Sequence, residues 1–67
     1  MVRINSTEVR VYMARQNLNG SSLATLAGIA RQTLSRALHG KNCTEVTVGR
    51  IAGALNCDPA DIAEETA

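Results

Sequence analysis

Several residue types are scarce in this 67-residue chain, and each scarcity narrows what the chain can be. There is no Trp or Phe, and Tyr12 is the single aromatic residue, so the core must come from Leu, Ile, Val, Ala and Met. These side chains favour short helices whose backbones approach closely at Ala. A chain of this length makes one domain and buries only about 60% of its unfolded surface, so it must pack efficiently.

Cysteine and histidine are too few for a disulfide framework or a metal centre. Cys43 and Cys57 do not form a Cys-x-x-Cys pair, and His39 completes no zinc pattern. We therefore expect inert thiols and no metal or cofactor. Asp58 and Asp61 are placed to cap a helix rather than to act as an acid–base pair, so we do not expect an enzyme.

Targeting and membrane segments are also lacking. No signal peptide is visible, and no apolar run approaches the roughly 18 residues of a membrane span. Together with the unpaired cysteines, these features predict a reducing, cytoplasmic location.

Charge is unevenly distributed along the chain. Residues 1–41 hold six basic residues and one acidic residue, a net charge of +5, whereas residues 42–67 hold one basic and five acidic residues, a net charge of −4. An asymmetric protein can steer a polyanion to one face. The alternative is ordinary solvated charge, which would carry no function.

Residues 23–41 form the most informative stretch, since they predict two short helices joined by a tight turn. The first helix, at about residues 20–27, places Leu23, Leu26 and Ala27 on one apolar face. Gly28 suits a left-handed turn, and Ile29 anchors it. The second helix, at about residues 30–38, buries three residues at helical spacing, namely Leu34, Ala37 and Leu38.

Three further helices are predicted around this pair. Asn5 with Glu8 forms a capping box for a first helix that ends near Gln16, where Asn17 adopts a left-handed conformation. Asn19 caps the second helix. Thr44 caps a fourth helix at about residues 45–56, whose inward residues are Val48, Ile51, Ala52 and Leu55, and Asp58 starts a fifth at about residues 59–64. Gly49 and Gly53 either admit a close neighbour or lie on the surface.

The ends of the chain carry no regular pattern. Residues 1–4 are predicted to be an arm or a frayed start, and the acidic C-terminal tail to be loose. The chain shows no strand signal, so the predicted fold class is all-α.

The ordered set of residues in this stretch resembles the helix-turn-helix of the lambda-repressor-like family, of the phage repressor and Cro type. The match lies in an ordered set of small, aliphatic and polar positions that ends in Gly-Lys. These positions are Leu23, Ala24, Gly28, Ile29, Arg31, Gln32, Thr33, Leu34, Ser35, Arg36, Gly40 and Lys41. The resemblance implies a five-helix DNA-binding domain over residues 1–67, with the helix-turn-helix at about residues 20–38.

Four positions depart from the family pattern. Ala30 replaces the usual Ser or Thr cap of the third helix, and Gly20 replaces a Gln that often contacts phosphate. Met13 and Leu38 occupy positions where many members hold an ion pair. Replacing both partners of a buried ion pair with apolar residues is often neutral, so this paired change supports the alignment.

The exposed face of the third helix carries the predicted chemistry. Arg can donate two hydrogen bonds to guanine and Gln can pair with adenine in the major groove. The expected base-reading residues are Arg31, Gln32, Ser35 and Arg36, which are also those implied by the resemblance. The expected phosphate contacts are Asn19, Ser21, Thr33, Lys41 and Asn42. The alternative is a solvated face without a ligand.

We therefore expect a sequence-specific, double-stranded-DNA-binding transcription regulator, of phage Cro or repressor type, that occludes a promoter. A weak homodimer, formed or strengthened on DNA, would bind a near-palindromic operator. Its expected interface residues are Leu55, Cys57, Ala60 and Ile62. The alternatives are the antitoxin of a toxin–antitoxin pair, which also binds operator DNA, and a helical protein-interaction module.

Overall fold

The computed structural model describes residues 1–64, and helices account for most of them. The five helices are α1 (Ser6–Arg15), α2 (Gly20–Ala27), α3 (Arg31–Leu38), α4 (Glu45–Leu55) and α5 (Pro59–Ile62). Two short strands, β1 (Arg3–Ile4) and β2 (Ala63–Glu64), complete the fold. The predicted all-α, five-helix fold is confirmed, with a small sheet added.

Side-chain caps determine where most of the helices begin. Asn5 accepts the N–H of Glu8 at 3.1 Å, Asn19 that of Ser22 at 2.8 Å, and Thr44 that of Thr47 at 3.2 Å. Asp58 and Asp61 form a complete capping box at α5. These caps satisfy backbone donors that a helix leaves unpaired in its first turn, so α1, α2, α4 and α5 each begin at a defined residue.

Left-handed residues follow the ends of α1, α2, α3 and α4, and the sequence predicts this conformation for two of the four. Asn17 has φ 55° after α1, and Gly28 has φ 70° after α2. Asn56 ends α4 at φ 58°. At Gly28 the chain turns sharply enough for the Ile29 N–H to reach the carbonyl of Ala24 at 3.1 Å. This turn sets the angle at which α3 leaves α2.

The core is aliphatic and receives side chains from all five helices. Its largest fully buried members are Val9, Leu23, Leu34, Ile51, Leu55 and Ile62. The predicted inner face of α4 is confirmed. Gln16 adds a polar link, because its Nε2 donates to the carbonyl of Leu55 at 2.7 Å and so joins the ends of α1 and α4.

The prediction for Leu26 is wrong, since 61% of its surface is exposed. The buried residues of α2 are Leu23, Ala24 and Ala27. At 3.6 residues per turn, Leu26 lies about 100° from the centre of that stripe. An inner stripe of small residues lets α2 pack closely on α4, and it leaves Leu26 facing outward.

The N-terminal residues are paired, so the prediction of an arm or frayed start is wrong. β1 pairs antiparallel with β2, with Arg3 opposite Glu64 and Ile4 opposite Ala63. Val2 exchanges two backbone hydrogen bonds with Cys43, at 2.8 and 2.7 Å. Strands of two residues are too short to show an alternating pattern, so only the tertiary fold reveals them.

The C-terminal prediction is corrected in the same way. α5 ends at Ile62 rather than residue 64, because the chain then extends into β2. Residues 65–67 of the acidic tail lie outside the described residues.

Gly49 and Gly53 are surface residues, since a Cβ at either position would meet no atom within 4 Å. In the described part of the chain, no helix is both long and apolar enough to cross a membrane.

Candidate nucleic-acid interface

One face of α3 is polar and exposed, and we call it the reading face. It consists of Arg31, Gln32, Ser35 and Arg36, all of which are exposed to solvent. The opposite face buries Leu34 and Ala37 in the core. The structure therefore brings the four predicted base-reading residues together on one exposed face of a helix, and the major groove is wide enough to admit a helix.

The local sequence fixes α3 in this position without a side-chain cap. Ala30 is the N-cap residue and makes no capping hydrogen bond, because its methyl side chain has no acceptor. Support comes from the preceding turn, where Arg50 of α4 donates from Nη1 to the Gly28 carbonyl at 3.4 Å. At the other end, the Lys41 N–H donates to the Arg36 carbonyl at 3.0 Å, next to Gly40 at φ 83°.

A pocket of about 230 Å³ lies between α1 and α3, and we call it the α1–α3 pocket. Arg10 lines it from α1, Arg31 and Ser35 from α3, and Gly20 from the start of α2. His39 closes one side, and its Nδ1 donates to the Ser35 carbonyl at 2.6 Å. The pocket is therefore basic and borders the reading face.

A second pocket, of about 210 Å³, lies on the other flank of α3. Arg36 and Thr33 line it from α3, and Asn42 lines it from the following loop. Thr44 and Thr47 contribute hydroxyl groups from the start of α4. Two of the predicted phosphate residues, Thr33 and Asn42, thus share a concave site that is rich in hydrogen-bonding groups.

The other predicted phosphate residues lie at separate places. Asn19 and Ser21 are exposed at the start of α2, and the Asn19 Oδ1 is already engaged by the N–H and hydroxyl of Ser22. Only the amide NH₂ of Asn19 is left to donate to a ligand. Lys41 is exposed after α3, and its backbone N–H closes that helix, so its side chain alone can contact a phosphate.

Within residues 1–64, no carboxylate forms an ion pair with the basic residues around α3. The salt bridge found among these residues links the Met1 ammonium to Glu45 at 4.0 Å and involves no arginine. Arg10, Arg31 and Arg36 therefore present their charge to solvent. Guanidinium groups on and beside an exposed helix face suit a polyanion, because each has donors for phosphate or guanine.

The thiols lie away from this face and have the chemistry of protonated groups. Burial raises the pKa of Cys43, and the nearby Glu45 raises it further. Burial also raises the pKa of Cys57, with a contribution from Asp61 and Asp58. Within residues 1–64, no three His, Cys, Asp or Glu side chains come together in a way that could hold a metal ion.

Two of the predicted interface residues are placed where a partner cannot reach them. Leu55 and Ile62 keep 1% and 0% of their surfaces exposed, because they fill the protomer's own core. Their prediction as interface residues is therefore corrected. Cys57 is half-buried and Ala60 is exposed, so these two are accessible at the start of α5.

Sequence reasoning missed Arg10, His39, Thr44 and Thr47 as residues around the reading face. Thr44 was identified as a cap, and its hydroxyl does cap α4. Arg10 lies on α1, outside the helix-turn-helix, and it lines the same pocket as Arg31 only because α1 packs on α3. The excess of arginine in residues 1–41 indicates that further basic residues could lie near the reading face, but it does not identify which arginines the fold brings together.

A family comparison agrees with this geometry. The sequence profile of Cro/C1-type HTH DNA-binding domains matches residues 8–66, which is nearly the whole chain. A search of curated proteins finds no match.

Solved structures share the fold at low sequence identity. The restriction-modification controller protein C.AhdI from Aeromonas hydrophila has a TM-score of 0.76 and 24% identity, over 84% of this chain and 86% of that chain. The transcriptional regulator VanUg has a TM-score of 0.78 and 21% identity, over 94% of this chain and 84% of that chain.

The same fold also occurs inside a larger enzyme. A hydroxyethylphosphonate dioxygenase variant has a TM-score of 0.82 and 23% identity, over 97% of this chain. This chain spans only 14% of the dioxygenase chain. At such identities these likenesses show the fold alone, and the family match carries the assignment of DNA binding.

Proposed function

Because the chain belongs to the Cro/C1-type helix-turn-helix DNA-binding family, we propose that it represses transcription by placing α3 in the major groove of an operator. The observation that carries this proposal is the reading face, where Arg31, Gln32 and Arg36 are exposed and, among residues 1–64, form no ion pair with a carboxylate. These side chains have the donors and acceptors that distinguish guanine and adenine. The role is binding rather than catalysis, in the cytoplasm.

The geometry supports a division of contacts. The reading face would contact base edges, and the polar groups on its flanks would contact the two phosphate backbones. Thr33, Asn42 and Lys41 serve one flank, and Asn19 and Ser21 lie near the other. Residues 1–67 would act as one domain, and occupancy of a promoter, as by a phage Cro or repressor, is the simplest mechanism for it.

We also propose that two copies bind a near-palindromic site whose half-sites lie about one helical turn apart. A helix of eight residues reads only a few base pairs, and a twofold pair doubles the readout. The acidic C-terminal half of the chain would be repelled by phosphate, so we expect it to face away from the DNA. The proposed contact between the two copies therefore includes the accessible residues Cys57 and Ala60. DNA itself would bring weakly associating monomers together.

Selection of bound sequences from random duplex DNA tests the proposal. We expect a near-palindromic motif to be enriched, and sedimentation of the complex on that motif to give two chains per duplex. Enrichment of an asymmetric motif with one chain per duplex would overturn the dimer while leaving base reading intact. Recovery of no motif would overturn base reading.

The alternatives give different results in the same assay. An antitoxin would also enrich a motif, and it would in addition form a stable complex with a toxin encoded beside it. A helical interaction module would show no salt-dependent binding to duplex DNA, because it would not release counterions from phosphates.

A further inference from the structure

The loop after α3, residues 40–43, carries two of the predicted phosphate residues, and we call it the contact loop. Its first half is attached to α3, because the Lys41 N–H donates to the Arg36 carbonyl at 3.0 Å. Asn42 makes no backbone–backbone hydrogen bond among the described residues 1–64. The position of Asn42 therefore depends on how the second half of the loop is held.

The second half of the contact loop is held by the N-terminal segment. Val2 and Cys43 exchange two backbone hydrogen bonds, in which the Val2 N–H donates at 2.8 Å and the Cys43 N–H donates at 2.7 Å. Met1 and Cys43 both line the pocket of about 210 Å³ that also contains Asn42. The backbone pair therefore lies beside a predicted phosphate residue, on one flank of the reading face.

The N-terminal segment can hold the loop because it is itself fixed in the fold. The residues that follow Val2 form β1, which pairs antiparallel with β2. Ile4 keeps only 3% of its surface exposed, and the Asn5 N–H donates to the Ile62 carbonyl at 2.7 Å. One extended segment therefore joins the contact loop to the buried C-terminal end of α5.

We propose that Val2 is a positioning residue for DNA binding, which acts through its backbone pair with Cys43 to hold the contact loop in the conformation that meets the phosphate backbone. This inference rests on the proposed DNA-binding function. It adds to that function the extended N-terminal segment, which lies outside the helix-turn-helix. Val2 itself makes no contact with DNA in this account, because its contribution is the order of the loop.

The order of a loop before binding affects affinity through conformational entropy. Fixing the backbone of one residue in a single conformation has an unfavourable free energy that corresponds to about a 5- to 30-fold change in an equilibrium constant. A loop that Val2 already holds loses little of this entropy on binding, so its contacts contribute fully to affinity. A released loop has to be ordered by the DNA, and each of its contacts then contributes less.

The experiment measures the affinity for the selected operator of wild type, Val2→Pro and Val2→Ala. Proline has no backbone N–H, so it removes the hydrogen bond to the Cys43 carbonyl. Val2→Ala is the matched control, because it shortens the same side chain and keeps the N–H. We expect Val2→Pro to weaken binding by about 5- to 30-fold. Val2→Ala should keep the wild-type affinity.

A second background separates the positioning of the loop from a general loss of structure. Lys41→Ala combined with Asn42→Ala removes the side chains that the contact loop presents, so the order of the loop no longer matters. In this background Val2→Pro should weaken binding by less than about twofold. The motif that Val2→Pro selects from random DNA should match that of wild type, since phosphate contacts carry no sequence information.

Circular dichroism checks that each variant is folded under the conditions of the binding assay. If Val2→Pro is partly unfolded, the affinities in both backgrounds are measured in sucrose, which favours the folded state without replacing the lost hydrogen bond. The difference between the two backgrounds then tests the inference in the same way.

Each other outcome overturns the inference in a recognisable way. Wild-type affinity for Val2→Pro would remove the positioning role and leave the proposed function standing. An equal loss in both backgrounds would show that Val2 acts on the whole domain, and a changed motif would show that it acts on α3. An equal loss for Val2→Ala would assign the effect to the side chain. If wild type bound no duplex DNA, the proposed function would fail first and the inference with it.

Discussion

The two faces of α3 differ in every physical respect that matters for the function. On the inner face, Leu34 and Ala37 keep only 2% and 1% of their surfaces exposed and hold the helix in the core. On the outer face, the reading face is open, polar and, within residues 1–64, free of ion pairs. The comparison teaches that stability and recognition are assigned to opposite sides of one short helix.

The packing of the inner face must stabilise α3, because α3 would not be a stable helix on its own. It has eight residues, fewer than the roughly 12–15 that an isolated helix needs in water. It begins at Ala30 without a side-chain cap. Tertiary packing and the turn at Gly28 therefore hold the reading face in place, and the outer side chains are left free for a ligand.

The strongest way to break the comparison is to empty the inner face. Leu34→Ala should lower the free energy of unfolding by about 2–5 kcal/mol, because it removes a fully buried side chain and leaves a cavity. Chemical denaturation measures this loss, with Ser35→Ala on the outer face as the control, expected to change stability by no more than about 0.5 kcal/mol. Similar losses from both variants would show that the two faces are not distinct.

The converse experiment alters the outer face. Arg31→Ala, Gln32→Ala and Arg36→Ala should each lose about 1–3 kcal/mol of binding to the selected operator, with discrimination relaxed at particular base pairs. Their unfolding should match wild type. Fluorescence anisotropy gives the affinities, with Arg15→Ala as the control. If all three kept full affinity and selectivity, α3 would not be the reading helix.

A pair of charge substitutions tests how α1 meets the end of α3. Met13 and Leu38 are both half-buried against the core. Met13→Arg and Leu38→Glu should each destabilise the domain by about 1–2 kcal/mol, since each places a charge in an apolar contact. The double variant should recover part of the loss through coupling between neighbours. Simple additivity of the two losses would mean that these residues do not touch.

Restoring the missing cap should sharpen the separation of the two faces. Ala30→Ser supplies an oxygen at the N-cap, where the backbone is already extended at φ −68° and ψ 145°. We expect a gain of about 1 kcal/mol in unfolding free energy without a change in selected motif. Ala14→Ser, inside α1, is the control and should not stabilise. A destabilised Ala30→Ser would indicate that the cap position has no room or no free N–H.

The smallest expected effect concerns the loop after α3. Lys41→Ala should weaken binding to all duplexes about equally and reduce the salt slope by about one unit, since Lys41 is expected to contact a phosphate. Salt titrations on the selected operator and on a mixed duplex measure both effects. A change in base preference would instead assign Lys41 to base reading.

The features predicted correctly from sequence are those with local causes. Caps such as Asn19, turns such as Gly28 and the inward spacing of α4 depend on residues a few positions apart. The exposed set on α3 follows from the same helical periodicity. For these elements, propensity and tertiary packing agree, so the local signal is sufficient.

The features missed depend on contacts between distant residues. Val2 pairs with Cys43, and Arg3 with Glu64, through backbone groups that carry no sequence signature. Leu55 and Ile62 were apolar candidates for a partner surface, but only the packed structure shows that they fill the core. Arg10 enters the α1–α3 pocket for the same reason, because the fold alone brings α1 beside α3.

The most direct test of the central claim, that the arginines of α3 read bases, is a coupling measurement between protein and DNA. Each guanine of the selected operator is replaced in turn by 7-deazaguanine, which lacks the N7 acceptor, and affinities are measured for wild type, Arg31→Ala and Arg36→Ala. The account predicts at least one guanine whose replacement weakens wild type and has no further effect on one of these variants. Additive losses at every guanine would contradict it.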